Sequence, residues 1–221
     1  MNYSIGIIDD DSTKSTQLLT YLELGWDDED GNLLKKKYEG VTLCPLEIKL
    51  ESTEAEMVQK VYDTKPDALI IDYKLSSQQN IAYTGVSLAS AIDAKLHDFP
   101  IFILTSFQDD VFSKESFDVY QVFDFERYIV DEKERLEINS KIVEQIRKYN
   151  RTILQWKKEL AQLLPLKGSK VSVDDRILEL DTWIENSIDG TSALSPKMKR
   201  DLDSNHIQAL IAKIDSIINE G

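Results

Sequence analysis

Three short apolar runs in this chain each end in residues that can do chemistry. Ile7-Ile8 leads into Asp9-Asp10-Asp11, Ala68-Leu69-Ile70-Ile71 into the single carboxylate Asp72, and Ile101-Phe102-Ile103-Leu104 into Thr105-Ser106. A carboxylate can attack a phosphorus centre to give an acyl phosphate. The attacking group and the transferring phosphoryl group are both anionic, so a cation must offset them. Mg2+ is suited to that task, because it takes oxygen ligands from one or two carboxylates together with water and phosphate. Asp9, Asp10 and Asp72, with the backbone carbonyl of Lys74, would supply such a set.

These residues matter only if the chain brings the three run ends together. Short continuous apolar runs read as strands buried on both faces, as in a parallel sheet. The first covers Ser4 to Ile8, and Asp11 or Ser12 can cap the helix that follows through Leu18, Leu19 and Leu22. Residues 25–40 read as a polar loop. Its acidic run Asp27-Asp28-Glu29-Asp30-Gly31-Asn32 fails as a calcium loop, since Trp26 and Lys37 would fall on ligand positions. Leu46 to Leu50 alternates and reads as an outer strand, and Ser52 or Thr53 starts a helix that ends before Pro66. After Asp72 comes a polar stretch to Thr84, then Gly85 and a helix carrying Val86, Leu88, Ala89 and Ile92. Beyond the Thr105 strand, residues 109–125 read as a weakly periodic helix and Tyr128-Ile129-Val130 as a fifth strand. Strands alternating with helices imply right-handed βαβ units. A five-stranded doubly wound parallel sheet of this kind gathers Asp9, Asp10, Asp72 and Thr105 at its switch point.

After Asp131 the pattern becomes helical. Ile142, Ile146, Tyr149, Ile153, Trp156, Leu160 and Leu163 are spaced as a heptad seam within one long helix, stopped at Pro165 and Gly168. Two amphipathic helices follow, around Val173 to Ile184 and Ile207 to Ile218. The expected organisation is an α/β domain over residues 1–148 and an all-α extension over 149–221, a long helix plus a helical hairpin.

The formal net charge is −14, and 42% of residues are hydrophobic. Residues 1–150 carry a net −13 of that charge. Such acidity argues against general nucleic-acid binding, and the near-neutral tail shows no basic recognition helix. The single cysteine, Cys44, allows no intrachain disulfide and is expected to be a small buried hydrophobe. His97 and His206 stand alone and read as surface residues. No apolar stretch is long enough to span a membrane, and the first residues lack a signal-type pattern. The expectation is a cytoplasmic protein without membrane or nucleic-acid partners.

The order of these marks resembles the receiver domain of two-component response regulators, of the CheY-like, flavodoxin-like kind, over about residues 1–148. The resemblance implies that Asp72 is the phosphoacceptor, that Asp10 ligates Mg2+ directly and that Asp9 acts directly or through water. It implies that Thr105, with Ser106, binds the phosphoryl group, that Tyr128 is the switch aromatic, and that the phosphodonor is a histidine kinase or a related ATPase-module protein. The family also places a lysine just after the fifth strand. With that strand at Tyr128-Ile129-Val130, Asp131 stands there instead, Glu132 follows, and Lys133 comes two residues late. Either Lys133 reaches in or the lysine is absent.

The helical tail shows no enzymatic motif and no helix-turn-helix. It is expected to bind a protein partner or a second copy through Ile142, Ile146, Tyr149, Ile153 and Trp156, so no output enzyme is expected. One alternative is a pseudo-receiver scaffold that is not regulated by phosphorylation. Another is a phosphatase of the haloacid-dehalogenase type, since Asp9-Asp10-Asp11-Ser12-Thr13 also fits a D-x-D-x-T motif, with Asp9 as nucleophile and Asp11 as general acid. That reading leaves Asp72 without a role.

Overall fold

A computed structural model describes residues 1–26, 32–76, 81–106, 122–189 and 197–200. The chain forms two compact units, Met1–Arg151 and Thr152–Gly221. The first is built on five parallel strands, β1 (Asn2–Ile8), β2 (Thr42–Glu47), β3 (Ala68–Ile71), β4 (Ile101–Thr105) and β5 (Val122–Asp124). They lie in the order β2-β1-β3-β4-β5. That order is the flavodoxin-like doubly wound arrangement, with its switch point between β1 and β3. Every residue of β3 and β4 is buried, as a parallel sheet covered on both faces requires.

The helices of this unit are α1 (Ser12–Leu24), α2 (Asn32–Lys37), α3 (Glu54–Thr64), α4 (Gly85–Asp93), α5 (Phe125–Val130) and the first part of α6 (Glu132–Leu163). Alternation along the strands sends Ile5, Ile7, Ala68, Ile70, Phe102 and Leu104 into one core with Leu18 and Leu22 of α1 and Leu136, Ile142, Val143 and Ile146 of α6. Met57, Val58 and Val61 of α3 and Val86, Leu88 and Ile92 of α4 are also buried. The helix starts obey local rules. Asp11 caps α1 by accepting from the Thr13 and Lys14 amides. Thr53 with Glu56, and Thr84 with Ser87, form reciprocal capping boxes.

Several expectations need correction. β2 starts at Thr42, ahead of the alternating Leu46–Leu50 stretch, ends within it at Glu47, and contains Pro45. An edge strand tolerates a residue without an amide proton, and Ile48, just beyond the strand, donates to the Ile7 carbonyl at 2.8 Å. Cys44 is exposed on this edge strand rather than buried. The supposed loop over residues 25–40 contains α2, too short to show a period.

The largest correction concerns the fifth strand. It is Val122–Asp124, and Tyr128-Ile129-Val130 is helical, within α5. Phe125, Tyr128 and Ile129 stand at i, i+3 and i+4, a helical spacing that a three-residue window conceals. Residues 107–121, most of the expected preceding helix, lie outside the described residues.

The expected partner surface is also revised. Ile142 and Ile146 are in the core of the first unit, and Tyr149 packs edge-on against Phe99 at 5.5 Å between ring centroids. In the second unit Ile153 is half-buried and Trp156 is buried against Trp183, 5.1 Å away. The heptad seam closes on this chain's own core along much of its length. After α6 come a short 3-10 turn at Leu164–Leu166 and helix α7 (Val171–Asp189). Arg176 of α7 grips both carboxylate oxygens of Glu159, at 2.7 and 3.0 Å, within this unit. The expected helix over Ile207 to Ile218 lies outside the described residues.

Gly85 starts α4 hard against the end of β3. A β-carbon there would stand 2.0 Å from the Asp72 carbonyl oxygen, a backbone atom that cannot step aside. Gly85→Ala is expected to destabilise the protein by about 2–3 kcal/mol in urea melts. A change below about 0.5 kcal/mol would show that the close approach is not binding on the fold.

Candidate functional site

The site is assembled by strand register. Ile8 pairs with Ile71, and the Asp72 amide donates to the Ile8 carbonyl at 2.9 Å. The residues immediately after each strand, Asp9 and Asp72, therefore emerge side by side at the carboxyl edge of the sheet. Asp10 joins them. All three are buried, and each offers a carboxylate oxygen within 4.8 Å of the others. Local amides hold two of these groups in place. Asp9 Oδ1 accepts from the Asp11 amide at 2.8 Å, and Asp72 Oδ2 from the Lys74 amide at 3.0 Å.

The other oxygen of Asp72 is the unusual one. Asp72 Oδ1 is buried and has no hydrogen-bond partner. Lys14 Nζ lies 3.7 Å from it, at ion-pair rather than hydrogen-bond range. The sequence reading overlooked Lys14. The signal was present, because Lys14, Leu18 and Leu22 form an i, i+4, i+8 stripe, and both leucines are buried against the sheet. The first residue of that stripe is thereby aimed at the strand ends.

Crowded burial makes Asp9 and Asp72 reluctant to ionise. Burial pushes the Asp9 carboxyl up to about 7, and the charges of Asp72 and Asp10 add to the rise, while the Asp11 amide and Lys14 oppose it. Asp72 is also raised, first by burial and then by Asp10, against the opposing effects of Lys14 and the Lys74 amide.

Thr105 ends β4, two residues beyond Ile103, which pairs with Ile71. It is fully buried, and Ser106 beside it is half-buried. Thr105 pairs in register with Asp124, the last residue of β5. Tyr128 does not sit on the strand. Its hydroxyl donates to Asn139 Oδ1 of α6 at 3.0 Å, and Asn139 Nδ2 donates to the Gly25 carbonyl at the end of α1 at 2.9 Å. It is a fully buried link between α5, α6 and the end of α1. Asp131 is not at a strand end either. It caps α6, accepting from the Lys133 and Glu134 amides, and Lys133 is exposed in the first turn of that helix. The residues that follow β5 are Phe125 and Glu126, so no lysine stands directly after that strand.

The carboxylate set fits a divalent cation by its donor chemistry: hard oxygens, three carboxyl groups close together, and one buried oxygen without a hydrogen bond. Asp11, by contrast, has its carboxylate engaged with the amides of the α1 cap.

No protein-family model matches the sequence, and no curated protein matches it. Among solved structures, the chain is similar to the anti-anti-sigma factor PhyR from Bartonella quintana, at 12% identity and a TM-score of 0.43, over 70% of this chain and 51% of that one. It thus spans about half the length of that protein. It is also similar to a two component transcriptional regulator AraC from Clostridium phytofermentans ISDg, at 12% identity and a TM-score of 0.45, over 67% of this chain and 98% of that one. The fold assignment stands on the observed strand order and register. No helix among the described residues is long and apolar enough to cross a membrane.

The raised Asp9 carboxyl has a consequence for stability. The folded state keeps its proton up to about pH 7, whereas the unfolded chain releases it near 3.8. Between those values the folded state binds more protons, so without divalent metal stability falls as pH rises through that window. Asp9→Asn is expected to flatten this decline and to raise stability at pH 8 in EDTA by about 1–2 kcal/mol. An unchanged pH profile would mean that Asp9 ionises normally in the folded protein.

Proposed function

We propose that the first unit is a receiver-type phosphoacceptor domain whose reactive group is Asp72. The observation that carries this reading is the buried Asp72 Oδ1, without a hydrogen-bond partner, among the Asp9 and Asp10 carboxylates at the switch point of a doubly wound sheet. Asp72 Oδ1 would attack the phosphorus of a phosphoimidazole. The O–P bond forms as the N–P bond breaks, and the electron pair returns to the imidazole nitrogen, leaving an aspartyl phosphate. Asp9, Asp10, Asp72 and the Lys74 carbonyl would hold Mg2+, which offsets the negative charge that builds up between carboxylates and phosphoryl group. The Thr105 hydroxyl, with Ser106 beside it, would hydrogen-bond a phosphoryl oxygen. The phosphodonor would be a histidine kinase or a related phosphohistidine-bearing protein.

The helical second unit would pass the state of Asp72 to a protein partner or to a second copy. Its exposed Leu154, Leu164, Leu166 and Val171 are side chains of the kind that protein interfaces cover. A cytoplasmic setting accords with a lone exposed cysteine. The pseudo-receiver reading keeps one specific observation in its favour, the absence of a lysine directly after β5. The haloacid-dehalogenase-type phosphatase fits less well, since Asp11 is the α1 cap and Asp72 would have no part.

The full chain incubated with Mg2+ and acetyl phosphate is expected to gain one phosphoryl group, seen by intact mass. The gain should vanish in Asp72→Asn and in EDTA. No gain in the wild-type chain, with no response to beryllofluoride either, would favour the scaffold. Phosphoester turnover that survives Asp72→Asn but not Asp9→Asn would favour the phosphatase.

A further inference from the structure

The phosphoacceptor reading leaves a gap in charge at the β5 edge of the site. A transferring phosphoryl group brings anionic oxygens next to three carboxylates, and fixed positive charge aimed at such oxygens is a large contributor to stabilising them. The strand-end position after β5 holds Phe125 in place of a cation.

The Phe125 ring, however, is not idle. Lys14 Nζ lies 5.4 Å from its centroid and 3.7 Å from Asp72 Oδ1. The ammonium is therefore held at two points, by an aromatic face on the β5 side and by the reactive carboxylate on the β3 side. Cation–π attraction of this kind orients an ammonium without donating it into a hydrogen bond. The stem of Lys14 rises from the first turn of α1, on the stripe that continues through the buried Leu18 and Leu22, and its side chain is only 22% exposed. A lysine in a merely solvated ion pair would lie largely in water. Here the ammonium is drawn over the site and stops just beyond hydrogen-bond range of the one Asp72 oxygen that lacks a hydrogen-bond partner.

We propose that Lys14 is the phosphoryl-contacting cation of this site, supplied from α1 and positioned by Phe125, in place of a lysine from the end of β5. The proposal rests on the phosphoacceptor reading of Asp72. A phosphoryl group on Oδ1 places its oxygens next to an ammonium already at ion-pair distance, and a charge-assisted hydrogen bond then forms that the free aspartate does not make. The ammonium thus favours the phosphorylated state selectively, whereas a bound metal would serve both states.

The test uses the full chain, with Mg2+ and then beryllofluoride, a phosphoryl analogue, titrated by calorimetry. Lys14→Met is expected to bind Mg2+ alone at least as tightly as wild type, because a competing cation is gone. It is expected to bind beryllofluoride on the order of tenfold or more weakly. Lys14→Arg should recover part of that loss, and Phe125→Lys in the Lys14→Met background should recover more. A structural role for Lys14 would weaken both ligands together, and that result overturns the proposal. Equal beryllofluoride affinity in wild type and Lys14→Met also overturns it, while leaving Asp72 as the phosphoacceptor. Absence of beryllofluoride binding in the wild-type chain overturns both. Circular dichroism melts confirm that each variant is folded before titration.

Discussion

The pairing of β3 with β1 is the constraint on which the rest of this molecule depends. Register places Ile71 beside Ile8, and the next residue on each strand is an aspartate. Once the apolar runs are buried, the two carboxylates have nowhere to go but the shared carboxyl edge, with Asp10 beside them. The close approach of Gly85 to the Asp72 carbonyl and the Lys74 amide on Asp72 Oδ2 then fix the position of the Asp72 carboxylate. The hydrophobic pattern thereby sets where the charge accumulates, and backbone hydrogen bonds set which oxygen is left over.

That accumulation is unfavourable by itself. Burial and mutual repulsion raise both Asp9 and Asp72, so the metal-free site works against stability above the range where these groups would ionise in the unfolded chain. Three buried carboxylates in one place are the physical argument for a cation there, with Lys14 as a partial internal offset. The same ammonium links α1 to Asp72 at the end of β3 and to Phe125 at the start of α5.

Much of this was legible in the residues. Continuous apolar runs ending in Asp9, Asp72 and Thr105 gave the parallel strands and the strand ends of the site, because burial on both faces leaves an unmistakable pattern. The long α6 was legible from its heptad spacing down to Pro165. What the pattern hid was local. β5 is three residues long, too short to carry a period, and the helical spacing of Phe125, Tyr128 and Ile129 passed for a strand. That shift took Tyr128 and Asp131 to positions they do not hold, and with them the expected place of the lysine. Lys14 was missed because a lysine in a helix usually reads as solvated. Only its place on the stripe with Leu18 and Leu22 marks it as inward-leaning. The heptad seam, read as a partner surface, is buried within this chain, at Ile142 and Ile146 in the core of the first unit and at Trp156 against Trp183 in the second, since periodicity shows that a face is buried but not against what.

The central claim is that Asp9, Asp10 and Asp72 form a cation site around the reactive carboxylate. Anomalous diffraction from crystals of the full chain soaked in Mn2+, which shares the oxygen-ligand preference of Mg2+, tests it most directly. The account predicts one strong anomalous peak at about 2.0–2.3 Å from carboxylate oxygens of this cluster, absent in Asp10→Asn crystals. A peak elsewhere on the acidic surface with none among these three residues, or no peak at all, would contradict it.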